Sequence, residues 1–228
     1  MPWRGRANSV PSTLDGMKVI EFYGGPGIGK SACAMSTALA LKLGHEAGHG
    51  WDYPLSVEYV PEFATEQVRA ARMVGGNPAR ALENQLMLAG TQLHYLERLA
   101  CDGVDIAVCD SPLWLCAVYS QALDRYPSAA WRDVLRAHYL QPLPTPSGPQ
   151  AIEWLPVLLE RVVRPHDMRG RVQDFEQSVA LDALIHGVAE QEWGPMLLRV
   201  KAQALSVPMG VITEMFKREW LRRPDPVE

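Results

Sequence analysis

Gly24-Gly25-Pro26-Gly27-Ile28-Gly29-Lys30-Ser31 packs four glycines and a proline into six residues and follows them at once with a lysine and a hydroxyl. The pattern G-x-x-x-x-G-K-[ST] is that of a phosphate-binding loop. Glycines let successive backbone N–H groups turn inward around a phosphate chain without Cβ clashes. A helix starting near Lys30 would add the positive end of its dipole. The expected cofactor contacts are Gly24, Gly25, Pro26, Gly27, Ile28, Gly29, Lys30, Ser31 and Ala32. Lys30 would reach the β- and γ-phosphates of ATP, and the Ser31 hydroxyl would ligate Mg²⁺.

Such a loop needs a carboxylate from a neighbouring strand, and "DIAVCDSP" supplies Asp110 at the end of an apolar run. It would hold Mg²⁺ or take a proton from an acceptor hydroxyl; the alternative is a cap for a helix opening at Pro112. In "VEYVPEFATE", Glu58 and Glu62 fall at or past a strand end. Either would serve as general base on the acceptor side, or else as an acidic first turn of a solvated helix. "RVVRPHDMRGR" (161–171) holds four arginines in a loop containing Pro165 and Gly170. Arg164, Arg169 and Arg171 would close on the transferring phosphoryl group. Gln85 and Gln92 are two helical turns apart, so they share a face that would read a nucleobase edge or simply form a polar side. Trp114, just after Asp110, is a candidate for stacking on a base, with core packing as the alternative. His45, His49 and His138 have no partners at ligand spacing, and His166 reads as a loop residue.

The elements that must carry these residues follow from periodicity and breakers. Strands are expected at 17–23, 55–61, 104–110, within 152–162 around Pro156, and at 195–202. Helices are expected at 30–43, 62–74, 79–101, 112–140 with a break near Tyr126-Pro127, 174–190 and 209–222. "QPLPTPSGPQ" (141–150) reads as a linker without regular structure. Alternation of strands and helices gives an α/β fold with a parallel sheet covered on both faces. Residues 1–16 read as a flexible lead-in, 17–202 as the main domain and 203–228 as a C-terminal helical extension.

The totals set limits. The chain has 228 residues, 47% apolar and 21% charged, with a net charge of -4. These are values of a globular protein and argue against a strongly basic nucleic-acid coat. The longest apolar runs are strand-sized, too short to span a bilayer, so no membrane partner is expected. Cys33, Cys101, Cys109 and Cys116 form no zinc spacing, and reduced thiols in a cytoplasm are the expectation.

In order along the chain, "KVIEFYGGPGIGKSACAM", "VEYVPEFATE", "NQLMLAGTQLHYLERL", "VDIAVCDSPL" and "ERVVRPHDMRGRVQDFEQSVALDALI" resemble a family of phage-type P-loop kinase-like proteins. These are often labelled ATPases and are related to nicotinamide riboside kinases and to deoxynucleoside or nucleotide kinases. The resemblance covers about residues 17 to 200; the loop motif is generic, and the "GRVQ…A…D" segment is more particular. It implies a P-loop NTPase three-layer fold with a parallel five-stranded core in the order 2-3-1-4-5, an arginine-bearing lid at about 161–173, and ATP with Mg²⁺. By position it makes Lys30 and Ser31 the phosphate and metal contacts, Asp110 the strand-end carboxylate, Glu62 the acceptor-side acid, and Arg169 and Arg171 the lid. Where many nucleoside and thymidylate kinases carry arginine after the strand-end acid, this chain has Ser111.

The expectation is therefore a kinase passing the γ-phosphate of ATP to a hydroxyl of a nucleoside-like acceptor, free or within DNA. Some phage kinases of this broad kind act on a hydroxymethyl group of a pyrimidine in DNA. If the chain is phage-encoded, its compartment is the host cytoplasm; a homodimer is left open. The competing readings are an ATPase coupling hydrolysis to assembly or remodelling and a nucleotide-binding regulatory module.

Overall fold

The computed structural model describes residues 14, 16–44, 46–51, 53–64, 82–121, 128–145, 148–162 and 175–222. Within these, strand β1 (Lys18–Tyr23) is buried along its whole length and pairs in parallel with β3 (Ile106–Cys109) on one side and β6 (Glu153–Glu160) on the other. Strand β2 (Val57–Val60) adds outside β3, and β7 (Leu198–Lys201) outside β6. The result is a five-stranded, all-parallel sheet in the order β2-β3-β1-β6-β7. Parallel strands buried on both faces read as continuous apolar runs, which is why "KVIEFY" and "IAVC" were legible as strands.

The expected order 2-3-1-4-5 counted five strands, whereas the described residues hold seven. The additional two come from the segment expected to lack regular structure. β4 (Leu143–Thr145) and β5 (Gly148–Gln150) form a two-stranded antiparallel ribbon outside the main sheet, with Gly148 at φ 115°. A short isolated ribbon tolerates Pro144 and Pro149 opposite one another, because neither strand has a second neighbour to which it owes an N–H. Pro156 sits within β6, opposite Glu21 of β1. β7 pairs only from Val157 onward, so Pro156 stands where β6 has β1 alone beside it.

Helices cover both faces. On one, α1 (Lys30–Leu43) and α6 (Val207–Lys217) pack over Ile20, Phe22, Val57, Ile106, Val108, Leu155, Val157 and Leu159. The buried positions of α1, Cys33, Ala34, Thr37, Ala38 and Leu41, recur at helical spacing, and small residues among them bring the axis close to the sheet. On the other face lie α2 (Leu82–Cys101), α3 (Trp114–Gln121), α4 (Ser128–Leu140) and α5 (Phe175–Trp193), over Val19, Tyr23, Ala107, Cys109 and Leu158. The helix expected at 62–74 begins at Phe63 and Ala64 and then passes outside the described residues; the break expected near Tyr126-Pro127 lies there too. None of the four cysteines forms a disulfide. Among the described residues, no helix is long and apolar enough to cross a membrane.

The connection leaving β1 runs to one side of the sheet, to β2, and the one leaving β3 leads to the other. In parallel α/β sheets that reversal opens a crevice at the carboxyl ends of the two strands. The glycine loop and Asp110 both stand there.

Candidate functional site

Residues 24–29 leave the end of β1 and enter α1. Gly27 and Gly29 adopt positive φ values, 76° and 104°, which an L-residue with a side chain rarely takes. Gly29 is the N-cap of α1, and no side chain caps the helix there. A Cβ built on Gly29 meets nothing within 4 Å. There is thus room beside the N-cap, and no side-chain cap compensates the positive dipole end of the first turn. Ile28, by contrast, is 5% exposed and belongs to the core, where it anchors the loop from below. The Lys30 side chain folds back so that Nζ donates to the Gly25 carbonyl at 3.4 Å, a long contact that a stronger acceptor would replace. Ser31 and Ala32 are exposed at the start of α1.

Asp110 follows β3, and its N–H continues the ladder by donating to the Val60 carbonyl at 3.0 Å. Helix α3 opens only at Trp114, so Asp110 does not cap it; its Oδ2 accepts from the Tyr59 hydroxyl at 3.1 Å. Burial pushes the Asp110 carboxyl above its ordinary range, against the Ser31 hydroxyl and the Lys30 ammonium, which favour the ionised form. Glu62 adds to the upward push, so its charge lies close enough to act on that carboxyl. It also raises the Tyr59 phenol, after burial and Asp110 have done so. Oδ1 of Asp110 is buried and has no well-formed hydrogen-bond partner. A buried carboxylate oxygen left open beside a hydroxyl is a fit for a cation shared with a phosphate. Among the described residues, no group of three or more His, Cys, Asp or Glu forms a metal cluster. A hard cation that keeps waters and substrate phosphates in its shell needs only one or two protein oxygens.

The structure thus brings together the loop, Lys30, Ser31 and Asp110, with Glu62 near enough for its charge to act on Asp110. Glu58 lies on the outermost strand and pairs with Lys42 of α1 at 3.7 Å, half exposed and apart from that group. Gln85 and Gln92 share a buried face of α2 as their spacing predicts, 2% and 7% exposed. The Gln92 amide donates to the Ser111 carbonyl at 2.7 Å, so it braces the turn after Asp110 instead of facing an opening. Trp114 is 2% exposed and stacked on Tyr139, centroids 5.5 Å apart and planes 4° from parallel. Its face is taken by the core, which corrects the expectation of a base-stacking ring. Arg164, Arg169 and Arg171 lie outside the described residues. An open hollow beside α6, lined by Thr213, Phe216, Glu219 and Leu221 among others, shares no residue with the strand-end group.

A comparison with family models finds no match for this chain, and one with curated proteins finds none.

Sequence reasoning assigned no role to three residues at the site, although Arg161 was counted among the four arginines of its loop. Tyr59 reads as an ordinary strand aromatic, and only the β2–β3 pairing, Tyr59 opposite Val108, sets it beside Asp110. Asp182 and Arg161 meet the loop from the far side. The Gly25 N–H donates to Asp182 Oδ1 at 2.7 Å, Arg161 Nε donates to Oδ2 at 2.5 Å, and Arg161 Nη2 donates to the Pro26 carbonyl at 3.0 Å. A charged residue among the apolar positions of "SVALDALI" was the available signal for Asp182.

Proposed function

We propose that the chain is an ATP-dependent kinase that transfers a γ-phosphate to the hydroxyl of a nucleoside- or nucleotide-type acceptor, free or within DNA. The observation that carries the reading is the pairing of an uncapped helix start, with open space above Gly29, and a buried strand-end carboxylate with one oxygen unpartnered. One is suited to phosphate oxygens and the other to the cation that accompanies them. ATP with Mg²⁺ matches both in charge and hardness.

In this reading the loop amides and the dipole of α1 hold the phosphate chain, and Lys30 exchanges its long bond to Gly25 for a phosphate oxygen. Ser31 and Asp110 would hold Mg²⁺, which would supply neutralising charge to the phosphates. With a cation beside it, the Asp110 carboxyl is held ionised despite its burial. Tyr59 fixes the Oδ2 side, so Oδ1 is the oxygen that would be offered to the cation. Glu62 would serve the acceptor side, taking the hydroxyl proton as the acceptor oxygen bonds to the γ-phosphorus and the bond to the β–γ bridging oxygen breaks, with ADP leaving. Catalysis of this kind is mainly positioning and charge stabilisation, which agrees with a site made of backbone amides and a few fixed charges.

The test is labelled ATP with Mg²⁺ and a panel of nucleosides, nucleotides, nicotinamide riboside, and DNA with normal or hydroxymethylated bases. Phosphorylated product that depends on an added acceptor is the expected result. Hydrolysis at full rate without any acceptor would overturn the kinase reading in favour of an ATPase, and binding without turnover would leave a regulatory module.

A further inference from the structure

Three hydrogen bonds close a ring behind the glycine loop. Asp182, on α5, takes the Gly25 N–H on one carboxylate oxygen and the Arg161 Nε–H on the other; Arg161, just past the end of β6, returns to the loop at the Pro26 carbonyl. Both side chains are largely withdrawn from water, 10% and 18% exposed. Lys30 binds the neighbouring carbonyl, that of Gly25. The first turn of the loop is therefore gripped at consecutive peptide groups by an anion and two cations. We propose that Asp182 and Arg161 are positioning residues, a latch that presets the first turn of the loop for phosphate, so that nucleotide affinity depends on a carboxylate no loop motif contains. The proposal rests on the kinase reading, since it concerns the same loop.

The second glycine supports this independently. In G-x-x-x-x-G-K-[ST], position 25 is unconstrained, and Gly25 is not among the residues with positive φ. Its backbone would accept alanine. What forbids a side chain is the latch: a Cβ on Gly25 would stand 2.2 Å from Asp182 Oδ1 and 3.1 Å from the Ser178 carbonyl. The glycine is needed for the approach of Asp182 to the backbone. A carboxylate is required for the whole ring, because its two oxygens must both accept, one from an amide and one from a guanidinium. An asparagine in its place keeps the Gly25 bond and turns its NH₂ toward Arg161, donor against donor.

The experiment is a titration of the full-length chain with a fluorescent mant-ATP and Mg²⁺, comparing wild type with Asp182→Asn, Arg161→Lys and Gly25→Ala. Asp182→Asn and Gly25→Ala are expected to weaken binding about tenfold, within the range for residues that act through others. Arg161→Lys, which reaches one of the two partners, should weaken it less. In turnover the KM for ATP should rise with kcat nearly unchanged, since a preset loop contributes equally to ground and transition states. Each measurement is made well below the variant's own melting temperature, so a variant that fails to fold leaves the other two to decide. If wild type binds and the folded variants bind equally well, the latch is overturned and the kinase reading stands. If wild type itself binds no mant-ATP, the kinase reading falls, and the latch as a determinant of nucleotide affinity falls with it.

Discussion

Asp110 and Glu21 are neighbours in the sheet on opposite sides of it. Glu21 of β1 is paired with Cys109 of β3, and Asp110 is the next residue along. Strand alternation sends successive side chains to opposite faces. Both carboxyls are almost sealed from water, 2% and 1% exposed, and burial is the largest influence on each. Their company separates them. Asp110 has a hydroxyl, an ammonium and an unpartnered oxygen. Glu21 lies among rings: Tyr139 donates to both its oxygens at 2.9 and 3.0 Å, Tyr23 donates at 3.2 Å, and Trp193 donates to the Tyr23 hydroxyl at 2.7 Å. No cation contributes to its titration, and its carboxyl is pushed up to about 8. A buried acid that meets a cation is equipped for charge; one whose partners are phenols and a backbone amide keeps its proton near neutral pH. The comparison teaches that burial alone does not mark a functional carboxylate.

The largest effects should come from the open side. Lys30→Ala removes the one ammonium that lies against the loop from within and should cut phosphoryl transfer by about a thousandfold while far-UV circular dichroism stays unchanged. Unchanged turnover would remove the functional half of the comparison. Asp110→Asn preserves shape and the bond from Tyr59 but not the charge. It should lower activity by roughly a hundredfold and flatten its dependence on Mg²⁺ concentration. A variant that keeps the wild-type Mg²⁺ response would assign the cation elsewhere.

On the closed side the expected change is in stability. An unfolded Glu21 titrates near 4.5 and the folded one near 8. Between those values the folded protein holds a proton that the unfolded chain has released. Stability therefore falls as pH rises through that window, by at most ~1.4 kcal/mol per unit from this group, and levels off beyond it. Glu21→Gln keeps an acceptor for Tyr139 and removes the titration. Urea unfolding at pH 5 and pH 8 should show wild type losing stability relative to the variant on going to the higher pH. An equal difference at both values would mean that Glu21 is ionised in the folded protein, and the contrast with Asp110 would collapse.

These contrasts also show how far residue types can be read in one dimension. The places of the loop, Lys30, Ser31 and Asp110 were legible because they depend on local order: a strand end, glycines and a helix start. The three inner strands were legible because burial on both faces leaves continuous apolar runs. The ribbon at 143–150 was not, because its prolines are excluded only from strands with two neighbours, and neighbour number is a property of the folded chain. Glu21, inside an apolar strand, carries no signal of its own until Leu113, Tyr139 and Trp193, from three other parts of the chain, join Tyr23 of the same strand around it. Tyr59, Arg161 and Asp182 were hidden for the same reason, since their partners lie 51, 135 and 157 residues away along the chain. Gln92 was placed on the right face with a base edge and a polar helix side both left open, and its bond to Ser111 could not be foreseen, because helical spacing says which side a residue occupies and not what stands opposite.

The smallest expected effect sharpens the comparison at its boundary. Trp114 follows Asp110 by four residues yet belongs to the Glu21 side, stacked on the same Tyr139 that holds the buried acid. Tyr139 also meets Trp154 and Trp193 edge-on, at 4.4 and 5.4 Å between centroids, so its ring is enclosed by three indoles. Trp114→Phe keeps an aromatic face against Tyr139 and sacrifices part of the stack, which should cost about 1 kcal/mol of stability. If Trp114 is packing alone, the KM for the acceptor stays at its wild-type value while the urea midpoint drops. A tenfold rise in acceptor KM with an unchanged midpoint would instead place the ring against a base, move the acceptor site inward across the sheet, and make the two regions one.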